Sequence, residues 1–431
     1  MSQSFAEFDI FLEQVRYFEE NSYCNESFKG VKGRLAKHAD YWEKIGASSF
    51  VVDTIKNGYV IPFLEPPCKS FFENNKSAIN NSEFVTEAIS ELVNSGCVVQ
   101  VPFQPFIVNP LSVATGKTGK RRLILDLSNL NKSIKKEKIK FEDWKIAIQY
   151  FEMNSFLFKF DLKSGYLHLD ICPQQHTYLG FCWNKHFYCY IVLAFGITTG
   201  PYIFTKCLRP LVKYWRENGI HVVLYLDDGF GMCSDEQLCI EQSDFVKKSL
   251  SDAGFLVNFE KSVFNPVTEL EWLGIIWNSS DFSLSIPNRR IDELLSTLQH
   301  ILEIFPKITV RLLAQVVGRV ISMIPVIGNV GRIMSKYCYM AIETRLAWDK
   351  PLLLSNPNFV LSELTFWLNN IHSLNCRRSS VYSKSSVIVY SDASNYAAGA
   401  YSVELENKIF HKMWTAFESN RSSTWRELKA I

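Results

Sequence analysis

Two apolar runs that each end in aspartate constrain this chain more than any other feature. The first, FKFDLKSGY, places Asp161 behind Phe158 and Phe160. The second, VVLYLDDGFG, places Asp227 and Asp228 behind an apolar run and ahead of Gly229. Such runs read as buried strands. A carboxylate at the end of a buried strand is costly unless something pairs with it. A cation is the natural partner, and clustered carboxylate oxygens suit Mg²⁺ or Mn²⁺. Two such ions, about 3.5–4 Å apart, hold the attacking and leaving oxygens of an in-line phosphoryl transfer. Two plainer readings compete. Asp-Asp before Gly also makes a hairpin turn. An acid-ended strand can also belong to a phosphate-loop ATPase, but that needs G-x-x-x-x-G-K-[ST]. The nearest candidate, Gly116-Lys117-Thr118, has Leu111 where the loop needs glycine, which excludes it.

Composition narrows the class. The 46 Lys+Arg nearly balance 44 Asp+Glu, so the chain is no uniformly basic nucleic-acid binder, though local basic patches remain open. At 47% apolar residues it is too hydrophobic to be disordered, and 431 residues suggest about three domains. The start, MSQSFAEFDIFLEQ, is acidic where a secretory signal needs a basic start. The most apolar long stretch, 312–334, contains Gln315, Arg319, Asn329 and Arg332, so a core or interface helix is expected and no membrane span. The 11 cysteines include no C-x-x-C pair, which argues against a disulfide framework and a zinc site. An intracellular, reducing location in cytoplasm or nucleus is expected, with no secretion.

Along the chain, a helix is expected after Ser82, which can cap it, with Phe84, Val85, Ala88, Ile89 and Leu92 at helical spacing and Gly96 at its end. Strands are expected at 97–101, 123–125, 156–160, 188–192 and 221–226, and helices at 202–215 and 237–250. Residues 286–375 read as mainly helical, and strand character returns from Ser386.

The order of blocks carries more than any one of them. Lys117, Arg122, Asp126 and Asn131 come first, then FDLKSGY, LAFGITTGP (193–201), YLDD (225–228) and LEWLG (270–274). Together they resemble the reverse transcriptase family. Three further segments resemble retrotransposons of the DIRS (tyrosine-recombinase) type: GRLAKHADYWEKIGAS at 33–48, GRVISMIPVIGNVGRIMSKYCYMAIETR at 318–345 and YSDASNYAAGAY at 390–401.

The resemblance implies an α+β fold: a right-hand polymerase with fingers, a palm on an antiparallel sheet and a helical thumb, plus a truncated ribonuclease H-like α/β segment. It divides the chain into an N-terminal extension (1–95), fingers and palm (96–284), thumb and connection (285–380) and the ribonuclease H-like piece (381–431). It implies an RNA-directed DNA polymerase that binds an RNA template, a DNA primer, the RNA–DNA hybrid and dNTPs, with two Mg²⁺ ions (Mn²⁺ as substitute). Asp161 and Asp227 would bind metal, with the Leu162 carbonyl completing the site and Asp228 shaping its field. Their spacing of 66 residues leaves room for a helix between adjacent strands.

For the nucleotide, the resemblance implies Lys117 and Arg122 at the tip of a fingers hairpin, with Lys120 and Arg121 as lesser contacts. Asp126 would orient its neighbours. Tyr166 would pack under the sugar and exclude a 2′-hydroxyl, or else be a core aromatic. Phe195 and Gly196 would lie by the base pair. Ala194 and Gly200-Pro201 depart from the family's usual Pro and Ala-Pro, removing no catalytic group. Lys261 would protonate the leaving pyrophosphate, or be a surface lysine. Trp272, Leu273 and Gly274 would grip the primer, or be core residues. The segment 116–140 holds nine basic residues against two acids, and from Lys132 onward a solvated face competes with binding. The stretch 304–336 has five Lys+Arg and no acid, so Arg311, Arg319 and Lys336 are candidates for phosphates. Asp392 and Glu427 match two metal-binding acids of ribonuclease H, with Asp392 ending a strand and Glu427 opening a helix. A further acid would lie past Ile431, so no robust ribonuclease H activity is expected. The competing functions are a non-catalytic nucleic-acid-binding relic and an RNA-dependent RNA polymerase, the latter disfavoured by Tyr166 and the ribonuclease H-like segment.

Overall fold

The computed structural model describes residues 2–21, 30–116, 119–352, 356–378, 387–403, 405 and 408–430. They form two compact units, 1–377 and 378–431.

The first unit opens with α1 (Ser2–Asn21), whose Phe18 joins a small cluster with Val101, Cys189 and Ile191. Three short helices follow, α2 (Arg34–Lys37), α3 (Ala39–Lys44) and α4 (Ser49–Asn57). Helix α5 (Ser82–Asn94) buries Val85 and Ile89. Ser82 does not cap it. It is the first helical residue, and Asn81 ahead of it spends its amide on the Ser77 carbonyl at 2.9 Å.

Strand β1 (Val98–Val101) comes next, then a hairpin of β2 (Leu111–Thr115) and β3 (Arg121–Leu125). Strand β4 (Phe156–Asp161) carries the first acid. A second hairpin, β5 (Gly180–Trp183) and β6 (His186–Tyr190), pairs back onto β1. Helix α6 (Gly200–Glu217) starts with Pro201 in its first turn and buries Ile203, Phe204, Cys207, Leu211 and Trp215 along one stripe. Then come β7 (His221–Tyr225), β8 (Asp228–Cys233), α7 (Glu236–Asp252), capped by the Asp235 carboxylate, and β9 (Val263–Val267).

These strands make a four-stranded antiparallel sheet in the order β9-β4-β8-β7. Period-2 alternation sends Phe158, Phe160, Val222 and Leu224 into a core shared with α6. Leu157, Val223, Phe230 and Met232 enter a second core on the other face. Two glycines permit the pairing of β8 with β4. A Cβ on Gly229 or Gly231 would lie 2.1 Å from the ring of Phe160 or Phe158 respectively.

The second core continues into a small sheet of β10 (Glu269–Trp272), β11 (Ile275–Asn278) and β12 (Ser283–Ser285). Helices α8 (Asn288–Ile304), α9 (Val310–Ser322), α10 (Lys336–Glu343) and α11 (Pro357–Asn370) add Leu294, Leu298, Leu313, Val317 and Trp367 to it. The helical character expected of 286–375 is present.

The second unit is an antiparallel sheet of β13 (Tyr390–Ala393), β14 (Ala397–Ser402) and β15 (Lys408–Met413), with α12 (Ser423–Ala430) packed on β13. Strand character begins at Tyr390, because pairing with β14 starts at Tyr390–Tyr401; Ser386 lies outside the described residues. Asp392 sits within β13 and does not end it. Glu427 is the fifth residue of α12 and does not open it. The Ser422 hydroxyl accepts the Trp425 N–H at 3.2 Å and sets the start. Among the described residues no helix is long and apolar enough to cross a membrane.

Candidate active site

Strands β7 and β8 are joined by a two-residue turn, Leu226-Asp227, with Leu226 at φ +54°. A left-handed leucine is strained, and such strain collects at functional sites. Asp227 thus sits in a hairpin turn, as the plainer reading of the acid pair has it, and the pairing brings Asp228 next to the first acid. Asp228 opens β8 directly opposite Asp161 on β4, and the Leu162 N–H donates to the Asp227 carbonyl at 2.9 Å. Burial, with the charges of Asp161 and Asp227, pushes the Asp228 carboxyl up to about 6. Burial also raises Asp227, with Asp161 adding to it. Lys159 and Lys261 offset only part of this charge.

The three carboxylates form an all-oxygen donor set of the kind hard divalent cations take. The raised pKa values of Asp227 and Asp228 mark negative charge that a cation would relieve. Asp161, Asp227 and Asp228 therefore suit Mg²⁺ or Mn²⁺. Among the described residues, however, no three acids, histidines or cysteines already converge as a finished metal cage.

Asp161 is engaged instead by the segment after α7. The Asn258 amide donates to its Oδ1 at 3.0 Å, and Lys261 Nζ stands 3.4 Å from its Oδ2. Its backbone N–H donates to the Ser262 hydroxyl at 3.0 Å, and its carbonyl accepts from the Asn258 N–H at 2.8 Å. Sequence reasoning named Lys261 but missed Asn258 and Ser262. The signal was the spacing N-x-x-K-S within NFEKS.

Tyr166 follows the acid through a short 3₁₀ turn and stacks on Phe195, centroids 4.9 Å apart and planes 17° from parallel. Its other neighbour is Phe204 of α6 at 5.0 Å, and burial pushes its hydroxyl up to about 12. Phe195 is 60% exposed, so the stack presents an aromatic surface to solvent. Gly196 adopts φ +104°. Its loop is tied down by Asn131, which donates to the Gly196 carbonyl at 2.8 Å and accepts from Thr198 N–H at 2.9 Å. Asp126 is held low by the Ser128 hydroxyl and N–H.

In the β2–β3 hairpin, Arg122 is exposed opposite Ala114, Gly119 takes φ +77° in the turn, and Lys117 lies outside the described residues. Arg121 reaches Asn81 at 3.3 Å and covers the Phe84 ring. No contact joins Arg122 to the carboxylates among the described residues.

Trp272, Leu273 and Gly274 form the β10–β11 corner, with Leu273 at φ +50° and Gly274 at +70°. Trp272 is a core residue here. Its ring is buried against Phe230 at 5.1 Å, and its indole N–H reaches the Asp228 carbonyl at 3.4 Å. Arg290 donates to the Gly274 carbonyl at 2.5 Å. Two of the basic residues expected at phosphates are otherwise engaged. Arg311 makes a bidentate pair with Asp349 at 2.6 and 2.8 Å, an acid outside the stretch counted for charge. Arg319 donates to the Glu293 carbonyl and the Thr297 hydroxyl. Lys336 lines a surface groove with Arg332 and Tyr339. In the second unit, Asp392 and Glu427 are both exposed.

Residues 114–277 match the family described as "Reverse transcriptase (RNA-dependent DNA polymerase)". The Pro-Pol polyprotein of simian foamy virus type 3 is 25% identical over 280 residues, covering 64% of this chain and 22% of that protein. The Transposon Tf2-3 polyprotein of Schizosaccharomyces pombe is 22% identical over 215 residues, covering 49% and 16%. The chain spans about a fifth of the length of such relatives. A solved foamy viral protease-reverse transcriptase in complex with RNA/DNA hybrid superposes with a TM-score of 0.59 at 15% identity, covering 91% of this chain and 54% of that one. Another, in complex with double-stranded DNA, gives 0.58 at 15%, covering 91% and 70%. The shared feature is the mixed α/β fold.

Proposed function

We propose, on the premise that residues 114–277 form a reverse transcriptase domain related to retroviral and retrotransposon polymerases, that this chain is an RNA-directed DNA polymerase. One observation carries the reading: Asp161 and Asp228 face each other across paired strands, with Asp227 in the strained turn between β7 and β8. In this reading the chain has the right-hand arrangement, with 96–284 as fingers and palm, 285–380 as thumb and connection, and 1–95 as an extension. Asp161 and Asp227, with the Leu162 carbonyl, hold Mg²⁺ or Mn²⁺, and Asp228 supplies field. Ions held there would supply charge to stabilise attack of a primer 3′-hydroxyl on the α-phosphate, with pyrophosphate leaving. Phe195 and Gly196 support the base pair and Tyr166 lies under the sugar. Lys117 and Arg122 meet the triphosphate. Lys261, next to Asp161, gives a proton to the leaving pyrophosphate. Trp272, Leu273 and Gly274 hold the primer end.

The partners are an RNA template, a DNA primer, their hybrid and dNTPs, and the site of action is inside the cell. The subclass is the DIRS type, on the strength of 33–48, 318–345 and 390–401. Asp392 and Glu427 belong to a ribonuclease H-like segment, 381–431.

The test is primer extension on an RNA template with Mg²⁺ and dNTPs, beside Asp227→Asn, Asp228→Asn. Extension by the unaltered chain alone establishes the polymerase and its acids. Hybrid binding without extension by either protein replaces it with the binding relic.

A further inference from the structure

The segment between α7 and β9 does more than carry Lys261. It leaves α7 at Ala253 and passes Gly254 at φ +91°. Phe255 then enters the core. Leu256 donates its N–H to His168 Nε2 at 3.1 Å and accepts from Lys163 N–H at 2.8 Å. Val257 bridges Leu162, the neighbour of the first acid. Asn258 then meets Asp161 with its backbone and its amide. The Asn258 carbonyl folds the next residues around itself, accepting from Ser262 N–H at 3.0 Å and from the Ser262 hydroxyl at 2.7 Å. That turn brings Lys261 to Asp161. Both oxygens of this carboxylate are therefore met by one five-residue loop.

The other end of the segment is held by the N-terminal helices. Trp42, fully buried in α3, donates its indole N–H to the Ala253 carbonyl at 3.1 Å. Arg34 donates to the Gly254 carbonyl at 3.0 Å, and the His38 ring meets the Asp252 carbonyl at 2.7 Å. The approach is close enough that a Cβ on Gly254 would lie 2.8 Å from the Arg34 carbonyl oxygen. The Trp42 ring packs edge-on against Phe255 at 6.0 Å. Phe255 in turn touches His168 at 5.1 Å. His168 is buried, its pKa pushed down to about 4, so it stays neutral and its Nε2 remains an acceptor for Leu256.

We propose that Asn258 is a positioning residue that orients the Asp161 carboxylate for metal, and that residues 34–42 are its foundation, acting through Ala253, Gly254 and Leu256. The inference rests on the reading of Asp161 as a metal ligand, and it assigns the N-terminal extension a task at the site. The amide aims one oxygen of Asp161 and leaves the other to the metal and Lys261. Losing such an outer partner of a ligand lowers metal affinity about 10- to 100-fold.

The test uses the full chain and Mn²⁺, whose free ion is counted by electron paramagnetic resonance. Asn258→Ala weakens Mn²⁺ binding about tenfold or more. Its melting temperature and its affinity for an RNA–DNA hybrid match the unaltered protein. Trp42→Phe keeps the ring but loses the bond to Ala253, and shifts Mn²⁺ affinity in the same direction by a smaller factor. Asn258→Ser, with a shorter polar group, replaces Asn258→Ala if that variant fails to fold. Unchanged Mn²⁺ affinity in the folded Asn258 variant overturns the proposal. Mn²⁺ affinity lowered at Asn258 but unmoved by Trp42→Phe overturns the N-terminal foundation. Metal binding is read without turnover, so an unaltered chain that binds Mn²⁺ yet extends no primer would refute the polymerase and leave this inference standing on its own readout.

Discussion

Tyr166 is packed on two aromatic rings, and that packing bears on the selector role proposed for it. Stacked between Phe195 and Phe204, it is rigid and only half-buried, so it holds a fixed aromatic wall beside the acids. If that wall excludes a 2′-hydroxyl, Tyr166→Ala raises ribonucleotide incorporation about 10- to 100-fold while the KM for dNTPs changes little. Competition between ribo- and deoxynucleotides in primer extension checks it, and unchanged sugar selectivity refutes it. His168 yields a pH prediction. Its folded pKa is depressed to about 4 from an ordinary 6.5, so the unfolded chain takes up the proton first as pH falls. Stability from this residue is full above about 6.5 and is lost toward 4, which amounts to about 2 kcal/mol between pH 7 and 5. Denaturant unfolding of the unaltered chain and of His168→Gln measures this directly, because their difference shrinks by that amount. Neither ring's packing is visible from residue type alone. A lone histidine or tyrosine in a sequence says nothing of what its ring touches.

At the scale of elements, the β7–β8 hairpin was readable because it is written locally: an apolar run, two acids and a glycine. Its partner strand β4 was equally readable. What binds them is a steric detail, the Phe158 and Phe160 rings lying where Cβ atoms of Gly231 and Gly229 would be. Gly231→Ala, remote from the acids, therefore costs about 2–3 kcal/mol by overpacking. A denaturation midpoint unmoved by that change would mean the ring finds room elsewhere. Helix starts were less legible. Ser82 and Glu427 were each assigned an opening role, yet Asn81 is drawn to Ser77 and Ser422 caps the last helix. Several side chains near a helix end can cap it, and tertiary contacts choose among them. The basic stretch 304–336 misled for the same reason. Its charge count stops short of Asp349 and Glu293, which meet Arg311 and Arg319 in the fold.

Across the whole molecule, the acids act as one electrostatic unit. Asp228 has its folded pKa raised to about 6, so the metal-free fold is favoured at low pH, where the carboxyl is protonated, and that benefit is lost as pH rises through about 6. Mg²⁺ should restore it. At ten times its dissociation constant the ion stabilises by about 1.4 kcal/mol, more at pH 8 than at pH 5.5, since binding displaces a proton. Thermal unfolding with Mg²⁺ or EDTA tests this, and a shift that persists in Asp161→Asn, Asp227→Asn would move the metal elsewhere. The sequence by itself determined the strands, the acids at their ends and the order of blocks, because each is a short-range pattern of polarity and turn chemistry. Only the tertiary structure decided that Asn258 and Ser262 engage Asp161, that Asn131 pins the Gly196 loop, and that residues 34–42 support the segment behind the site. Those contacts join residues 65 to 220 positions apart. No local pattern encodes such pairings, because they exist only once the sheets and helices have packed.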